Sequence, residues 1–260
     1  MNYFIEGLQG SGKSTLMERI AAKHPDLQVF HEGEYSPIEL AWCAYVTESQ
    51  YETILNRYDA IRQEIEEKSH REEDHFVICY TKIHTDIPGF YQDLEQHEIY
   101  NGRIPFDRFE DIVFRRFARW KDDGQVFECS LFQNIVEELK LFRNASDEKI
   151  ISFYREIAAI LKDQELCILY LQTDDVPANI DVIRKERSDQ EGNELWFPLM
   201  LQYFNRSPYA VKNNLSGEED LYRHFKARQE LELKICREIF ADRYVILPSK
   251  SYKDSDYPIR

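Results

Sequence analysis

The sequence predicts an α/β fold in which a parallel sheet is covered by helices on both faces. Short apolar runs alternate with amphipathic stretches along the 260 residues, the pattern of strands and crossover helices. Several of those runs are apolar without interruption, as in "LCILYL" from Leu166 to Leu171, which is how strands buried on both faces read. A glycine-rich loop, "GLQGSGKS" from Gly7 to Ser14, directly follows the first run and opens a helical pattern. Loops at the carboxyl ends of parallel strands are where such folds bind ligands.

The elements follow in order. Asn2 to Glu6 is an aromatic and β-branched run closed by Gly7, hence the first strand. Lys13 to Lys23 carries Leu16, Ile20 and Ala21 at helical spacing, and Pro25 ends it. Leu27 to Phe30 is the second strand. Helical patterns then cover Ile38 to Val46 and Tyr51 to Glu67. The stretch from about 69 to 121 breaks the alternation and reads as an insertion before the third core strand. It holds a charge run, a strand-like "HFVICYT" from His75 to Thr81, turns at "DIPG" and "NGRIP", and a helix from Asp107. On that helix Phe106, Phe109, Val113, Phe117 and Trp120 share one face, while Arg108, Arg115 and Arg119 share another.

Alternation then resumes. Gln125 to Glu128 is the third strand, and helices cover Leu131 to Phe142 and Asp147 to Lys162. Leu166 to Leu171 is the fourth strand. Helices follow at Ala178 to Arg187, around Leu195 to Phe204, and from Glu218 to Ala241. Tyr244 to Leu247 is the fifth strand, and the polar tail "PSKSYKDSDYPIR" is expected on the surface. No internal repeat or low-complexity linker interrupts the chain. The expectation is one domain over residues 1–260, with the insertion at about 69–121 and a lid at about 184–195.

Composition narrows the partners. Lys and Arg total 33 against 48 Asp and Glu, a formal charge of −15, which opposes binding along a nucleic acid polymer. Cys43, Cys79, Cys129, Cys167 and Cys236 form no C-x-x-C pair, and most lie in apolar runs. They read as buried, reduced thiols of a cytoplasmic protein. The histidines show no H-x-x-x-H pair, and "HREEDH" lies in a solvated charge run. No apolar run is long enough to cross a bilayer, and the first residues form a strand rather than a secretory signal.

Gly7-x-x-x-x-Gly12-Lys13-Ser14 satisfies the Walker A pattern in its required strand–loop–helix context. The fold class sharpens accordingly to a three-layer P-loop NTPase sandwich, with five parallel strands in the order 2-3-1-4-5. Backbone N–H groups from Gln9, Gly10, Ser11, Gly12, Lys13 and Ser14 are expected to surround the phosphates of ATP. Gly7, opening the loop, and Thr15, in the first helical turn, complete the expected cofactor-binding residues. The helix N-terminus adds favourable charge. Lys13 is expected on the outer phosphates and the Ser14 hydroxyl on Mg²⁺.

A guanine-reading N-K-x-D is missing, since "TKIH" at Thr81 to His84 lacks the aspartate. A motor's apolar strand ending in Asp-Glu is missing too, because "LYLQTDD" has its acids two residues late. The chain resembles instead the thymidylate kinase and deoxynucleoside kinase superfamily. The residues carrying the likeness are "IEGLQGSGKST", "HEGEYSPIELAW" after the second strand, "FECS" after the third, and "LYLQTDDVPANIDVIRKERSD".

The resemblance implies a base among Glu32 and Glu34, deprotonating the acceptor hydroxyl, with Trp42 lining the acceptor pocket. It implies that Glu128 holds Mg²⁺ through water, and that Arg184 and Arg187 reach over the transferred phosphoryl group. Dimers are common in that family, so a homodimer is a candidate assembly. Cys129 stands where the family motif has arginine, which argues against a standard deoxynucleoside acceptor. Tyr45 and Tyr80 are further candidate acceptor contacts. Arg115 and Arg119, with Arg116, are candidates for an acceptor phosphate or carboxylate, against pairing with Glu110, Asp111 or Asp122 on a solvated helix. The expected function is a cytoplasmic, ATP- and Mg²⁺-dependent kinase of a small acceptor. The alternative is a nucleotide-binding regulatory ATPase acting through a protein partner.

Overall fold

The computed structural model describes residues 1–189 and 191–259. Gln190, in the expected lid, and Arg260, at the end of the expected domain, lie outside the described residues. In chain order the elements begin with β1 (Asn2–Gly7), α1 (Lys13–Lys23), β2 (Gln28–Phe30), β3 (Ala44–Thr47), α2 (Glu48–Arg57) and α3 (Arg62–Glu67). They continue with β4 (Ser69–Glu72), β5 (His75–Ile78), α4 (Phe90–Glu95), α5 (Phe106–Arg119), β6 (Gln125–Glu128) and α6 (Gln133–Glu137). The last are α7 (Asp147–Ile160), β7 (Leu166–Gln172), α8 (Val176–Glu186), α9 (Trp196–Arg206), α10 (Pro208–Asn213), α11 (Gly217–Ile239) and β8 (Tyr244–Pro248).

Two compact units divide the chain, one of Met1–Val29 with Lys121–Arg260 and one of Phe30–Trp120. The second begins well before residue 69, so the expected insertion covers only its later part.

Five strands form an all-parallel sheet in the order β2-β6-β1-β7-β8. This whole-chain string differs from 2-3-1-4-5 because the second unit contributes three strands of its own; numbered within the parallel sheet alone, the order reads 2-3-1-4-5. Phe4 of β1 sits opposite Phe127 of β6 and Ile168 of β7. Every residue of β1 is buried, as a central parallel strand requires. Tyr3 and Ile5 pack with Leu16, Met17 and Ile20 of α1, while Phe4 stacks on Phe127 at 5.1 Å. Phe132, just after β6, meets Tyr154 of α7 and Phe240 at the end of α11. Tyr3 and Ile5 of β1 thus face α1, as alternation along a strand allows.

The second unit holds an antiparallel sheet in the order β3-β5-β4. Its core gathers Ala44 and Val46 of β3, Tyr51, Ile54 and Leu55 of α2, Ile65 of α3, and Phe90 and Leu94 of α4.

Several expected elements need correction. No helix forms over Ile38 to Val46: the Ser36 side chain accepts from the N–H of Ile38 and Glu39, and the Glu39 carboxylate accepts from Leu40 and Ala41. Side-chain acceptors here satisfy the donors that a helix would use, and the chain enters β3 at Ala44. The expected helix over Tyr51 to Glu67 is broken into α2, a short 3₁₀ turn and α3. Ile54, Leu55, Tyr58 and Ile65 all reach one core, so two helices present what reads as one stripe. Leu131 to Phe142 is α6 followed by a π turn from Glu138 to Phe142. The tail is not wholly surface either, because Tyr257 is buried with Tyr252 and Ile259 packed around its cluster. No helix among the described residues is long and apolar enough to cross a membrane.

Candidate functional site

In the first unit, the loop between β1 and α1 is shaped by close packing. A Cβ on Gly7 would lie 2.5 Å from the Leu171 carbonyl of β7, and its φ of +139° suits glycine. A Cβ on Gly10 would come within 3.0 Å of the Asn179 carbonyl of α8. The loop therefore lies against β7 on one side and α8 on the other. Gly12 begins α1 without a side-chain cap, and the first turn carries no acid. That leaves the positive end of an 11-residue helix available to an anion.

Lys13 is buried, and its ammonium donates to the carbonyls of Gly7 at 3.0 Å and Leu8 at 2.8 Å. It is folded back onto its own loop, where phosphate oxygens can compete with neutral carbonyls. The Ser11 amide donates to Leu8 at 3.2 Å, so one expected phosphate donor is engaged within the loop. The buried Ser11 hydroxyl has no hydrogen-bond partner among the described residues. Ser14 Oγ donates to Glu128 Oε1 at 2.5 Å, joining the helix start to the end of β6. Cys129 then turns the chain with a left-handed φ of 56° and is itself buried.

These residues fit nucleotide-borne magnesium. A hydroxyl and a carboxylate meet beside the glycine-rich loop, an arrangement that leaves the ion's other positions to phosphates and water. Among the described residues no group of three or more His, Cys, Asp or Glu is arranged to hold a metal by itself.

Glu6 lies under the loop with no exposed surface. Its Oε1 accepts from the Leu131 amide at 2.7 Å, whereas its Oε2 has no hydrogen-bond partner among the described residues. Burial is the main cause that pushes its pKa from 4.5 to about 8. Between those values the folded protein keeps a proton that the unfolded chain releases, so stability falls as pH rises through this window. Glu6→Gln removes that loss. The variant should match the parent near pH 4 and exceed it by on the order of 3 kcal/mol near pH 7.5. Denaturant titrations at several pH values check this; a difference independent of pH contradicts it.

Arg184 of α8 does not project freely. Its Nε and Nη2 donate to Glu194 at 2.8 and 3.0 Å, its Nη1 donates to Glu218 at 3.2 Å, and it lies 4.0 Å over the Phe197 ring. Arg187 is exposed and stacks 5.5 Å over the Trp196 ring. Around the lid, Ser188 bridges Glu194, and the Asp189 carboxylate accepts from the Glu191 and Asn193 amides. Arg184 is therefore clasped by the carboxylates of Glu194 and of Glu218 on α11.

In the second unit, Trp42 is 51% exposed, with a φ of 64° that is uncommon for a bulky residue. Its indole N–H donates to Glu32 Oε1 at 3.1 Å, and Thr81 Oγ1 donates to its carbonyl at 3.3 Å. Glu32 and Trp42 are thus brought together, while Glu34 lies 3.8 Å from the Lys82 ammonium. Tyr45 stacks on His75 at 4.5 Å and lines a pocket of about 430 Å³ with Thr47, Gln50, His97 and Arg108. Tyr80 belongs to the core, its hydroxyl donating to Glu98 at 2.6 Å. Arg115 pairs with Asp111 at 3.2 Å and Arg119 with Glu73 at 3.4 Å, both on the surface of α5.

Sequence reasoning missed other residues. Arg116 is buried, binding Glu72 and the Ser36 carbonyl; its place in the apolar stripe of α5 between Ile112 and Trp120 was the available signal. Cys43 and Cys79 bring their sulfurs to 3.8 Å. In the first unit, Ser249 Oγ donates to the Ser11 carbonyl at 2.9 Å, so the tail after β8 touches the glycine-rich loop. No local motif announces these distant pairs.

No family model matches the chain, and no curated protein matches it.

Proposed function

We propose that the chain is an ATP- and magnesium-dependent small-molecule kinase, transferring the γ-phosphoryl group to a hydroxyl or phosphate of a nucleoside, nucleotide or other small acceptor. The observation that carries this reading is the Ser14–Glu128 contact at 2.5 Å beside buried Lys13, at a helix start without a side-chain cap. The motif likeness to deoxynucleoside kinases supports it.

The loop amides and the α1 N-terminus bind the phosphates. Lys13 exchanges the Gly7 and Leu8 carbonyls for outer phosphate oxygens. Ser14, and Glu128 through water, would hold magnesium, which would supply charge neutralisation on the transferred group. Glu32, oriented by Trp42, takes the proton from the acceptor hydroxyl onto its carboxylate. Arg187, and Arg184 once released by Glu194 and Glu218, offset charge on the moving phosphoryl group.

Glu128→Gln tests the assignment. It should raise the magnesium concentration giving half-maximal turnover about tenfold, with thermal stability little changed. Turnover independent of magnesium in the parent, or an unchanged requirement in the variant, would count against it.

A further inference from the structure

Helix α11 buries His224, Arg228, Gln229 and Glu232 along its middle, and charges enter a core only when matched. Arg228 is 2% exposed. Its Nη1 donates to Glu137 Oε1 at 2.5 Å, and its Nε lies 3.2 Å from Glu232 Oε1. His224 Nε2 is 2.8 Å from the other oxygen of Glu137, and the Tyr170 hydroxyl donates to Glu232 at 2.5 Å. Two carboxylates thus already surround the guanidinium. The guanidinium also meets a neutral acceptor: Nη2 donates to Gln9 Oε1 at 3.0 Å.

Gln9 belongs to the phosphate loop, and it is held a second time. Asn179 Nδ2 of α8 donates to the Gln9 carbonyl at 2.6 Å. Across a trans peptide, the carbonyl of residue 9 and the N–H of residue 10 point in opposite directions. Fixing the carbonyl toward Asn179 therefore aims the Gly10 N–H away from α8. Gly10 has φ +76° and no side chain to resist rotation of that peptide. The grip must come from outside the loop.

We propose that Arg228 is a positioning residue for nucleotide binding: anchored by Glu137 and Glu232, it holds Gln9 so that the loop meets phosphate already ordered. This rests on the phosphate-loop reading above and adds a residue that no loop motif contains. Preorganisation of this kind raises affinity by removing an ordering cost.

The test is a double-mutant cycle on the dissociation constant of Mg-ATP, measured by calorimetry for the parent, Gln9→Ala, Arg228→Lys and the double variant. Lysine keeps the buried positive charge but loses the guanidinium's several prongs. Each single change should weaken binding about tenfold, and the double variant should be no weaker than either single one, because both remove the same contact. Gln9→Ala should do so while remaining folded, because Glu137 and Glu232 still match the Arg228 charge, which keeps the test valid even if Arg228→Lys folds poorly. Parent-like affinity in Gln9→Ala, or losses that multiply to about a hundredfold in the double variant, would overturn the inference and leave Arg228 a core ion pair. A parent protein that binds no Mg-ATP would instead strike the phosphate-loop reading itself.

Discussion

Lys13→Ala should weaken ATP binding about a hundredfold, the largest single effect expected of any loop substitution. The ammonium is the positive side chain within the loop, and among the described residues its hydrogen bonds are to the Gly7 and Leu8 carbonyls. Those carbonyls are neutral, so a phosphate with full negative charge displaces them readily. Lys13→Met preserves most of the buried stem and should lose as much affinity with less effect on folding. Equilibrium binding of Mg-ATP checks both variants. Affinity within threefold of the parent in either would show that Lys13 does not meet the phosphates.

The second large effect concerns turnover rather than affinity. Glu32→Gln should lower the phosphoryl-transfer rate by roughly 10²–10³, leaving ATP affinity within about twofold. Glu32 carries this expectation because the Trp42 indole orients it, on a backbone whose left-handed Trp42 is held in place by Thr81. Glu34, beside Lys82, should tolerate Gln with a far smaller loss. A large fall in Glu34→Gln alone would move the base to that residue. Parent-like rates in both would remove a carboxylate base from the second unit.

Legibility in the sequence followed the range of the interactions. The phosphate loop, its strand and its helix are local, so Gly7 to Lys23 reads directly as β1, loop and α1. Buried parallel strands such as Leu166 to Gln172 announce themselves by composition alone. The small antiparallel sheet does not. β4 is "SHRE", in which only Glu72 is buried, so it has no apolar alternation to find. β3 was masked because Ser36 and Glu39 decide its approach through side-chain hydrogen bonds that periodicity ignores.

The same limit applies to the site. Ser14 and Glu128 are 114 residues apart, and what suggests a shared ligand in sequence is the Walker A pattern for Ser14 and the kinase resemblance, with its place at a strand end, for Glu128. The grip of Arg228 on Gln9 spans 219 residues, with nothing in either segment to point at the other. Arginines on α5 show a related limit. Charge alone leaves Arg115 and Arg119 open to an anion site or to pairing on a solvated helix; each has an acidic neighbour on the surface, and it is Arg116 that the fold buries. Charge counts along a helix cannot separate these outcomes, but the phase of the apolar stripe can.

The central claim is phosphoryl transfer to a small acceptor. Its most direct measurement follows ATP labelled at the γ-position, with magnesium, against a panel of nucleosides, nucleotides and other small hydroxyl compounds. The account predicts labelled acceptor and ADP formed in equal amounts, with at least one compound, and neither formed by Lys13→Ala. A folded parent protein that binds ATP but labels no acceptor, and that hydrolyses ATP only when a protein partner is added, would contradict it.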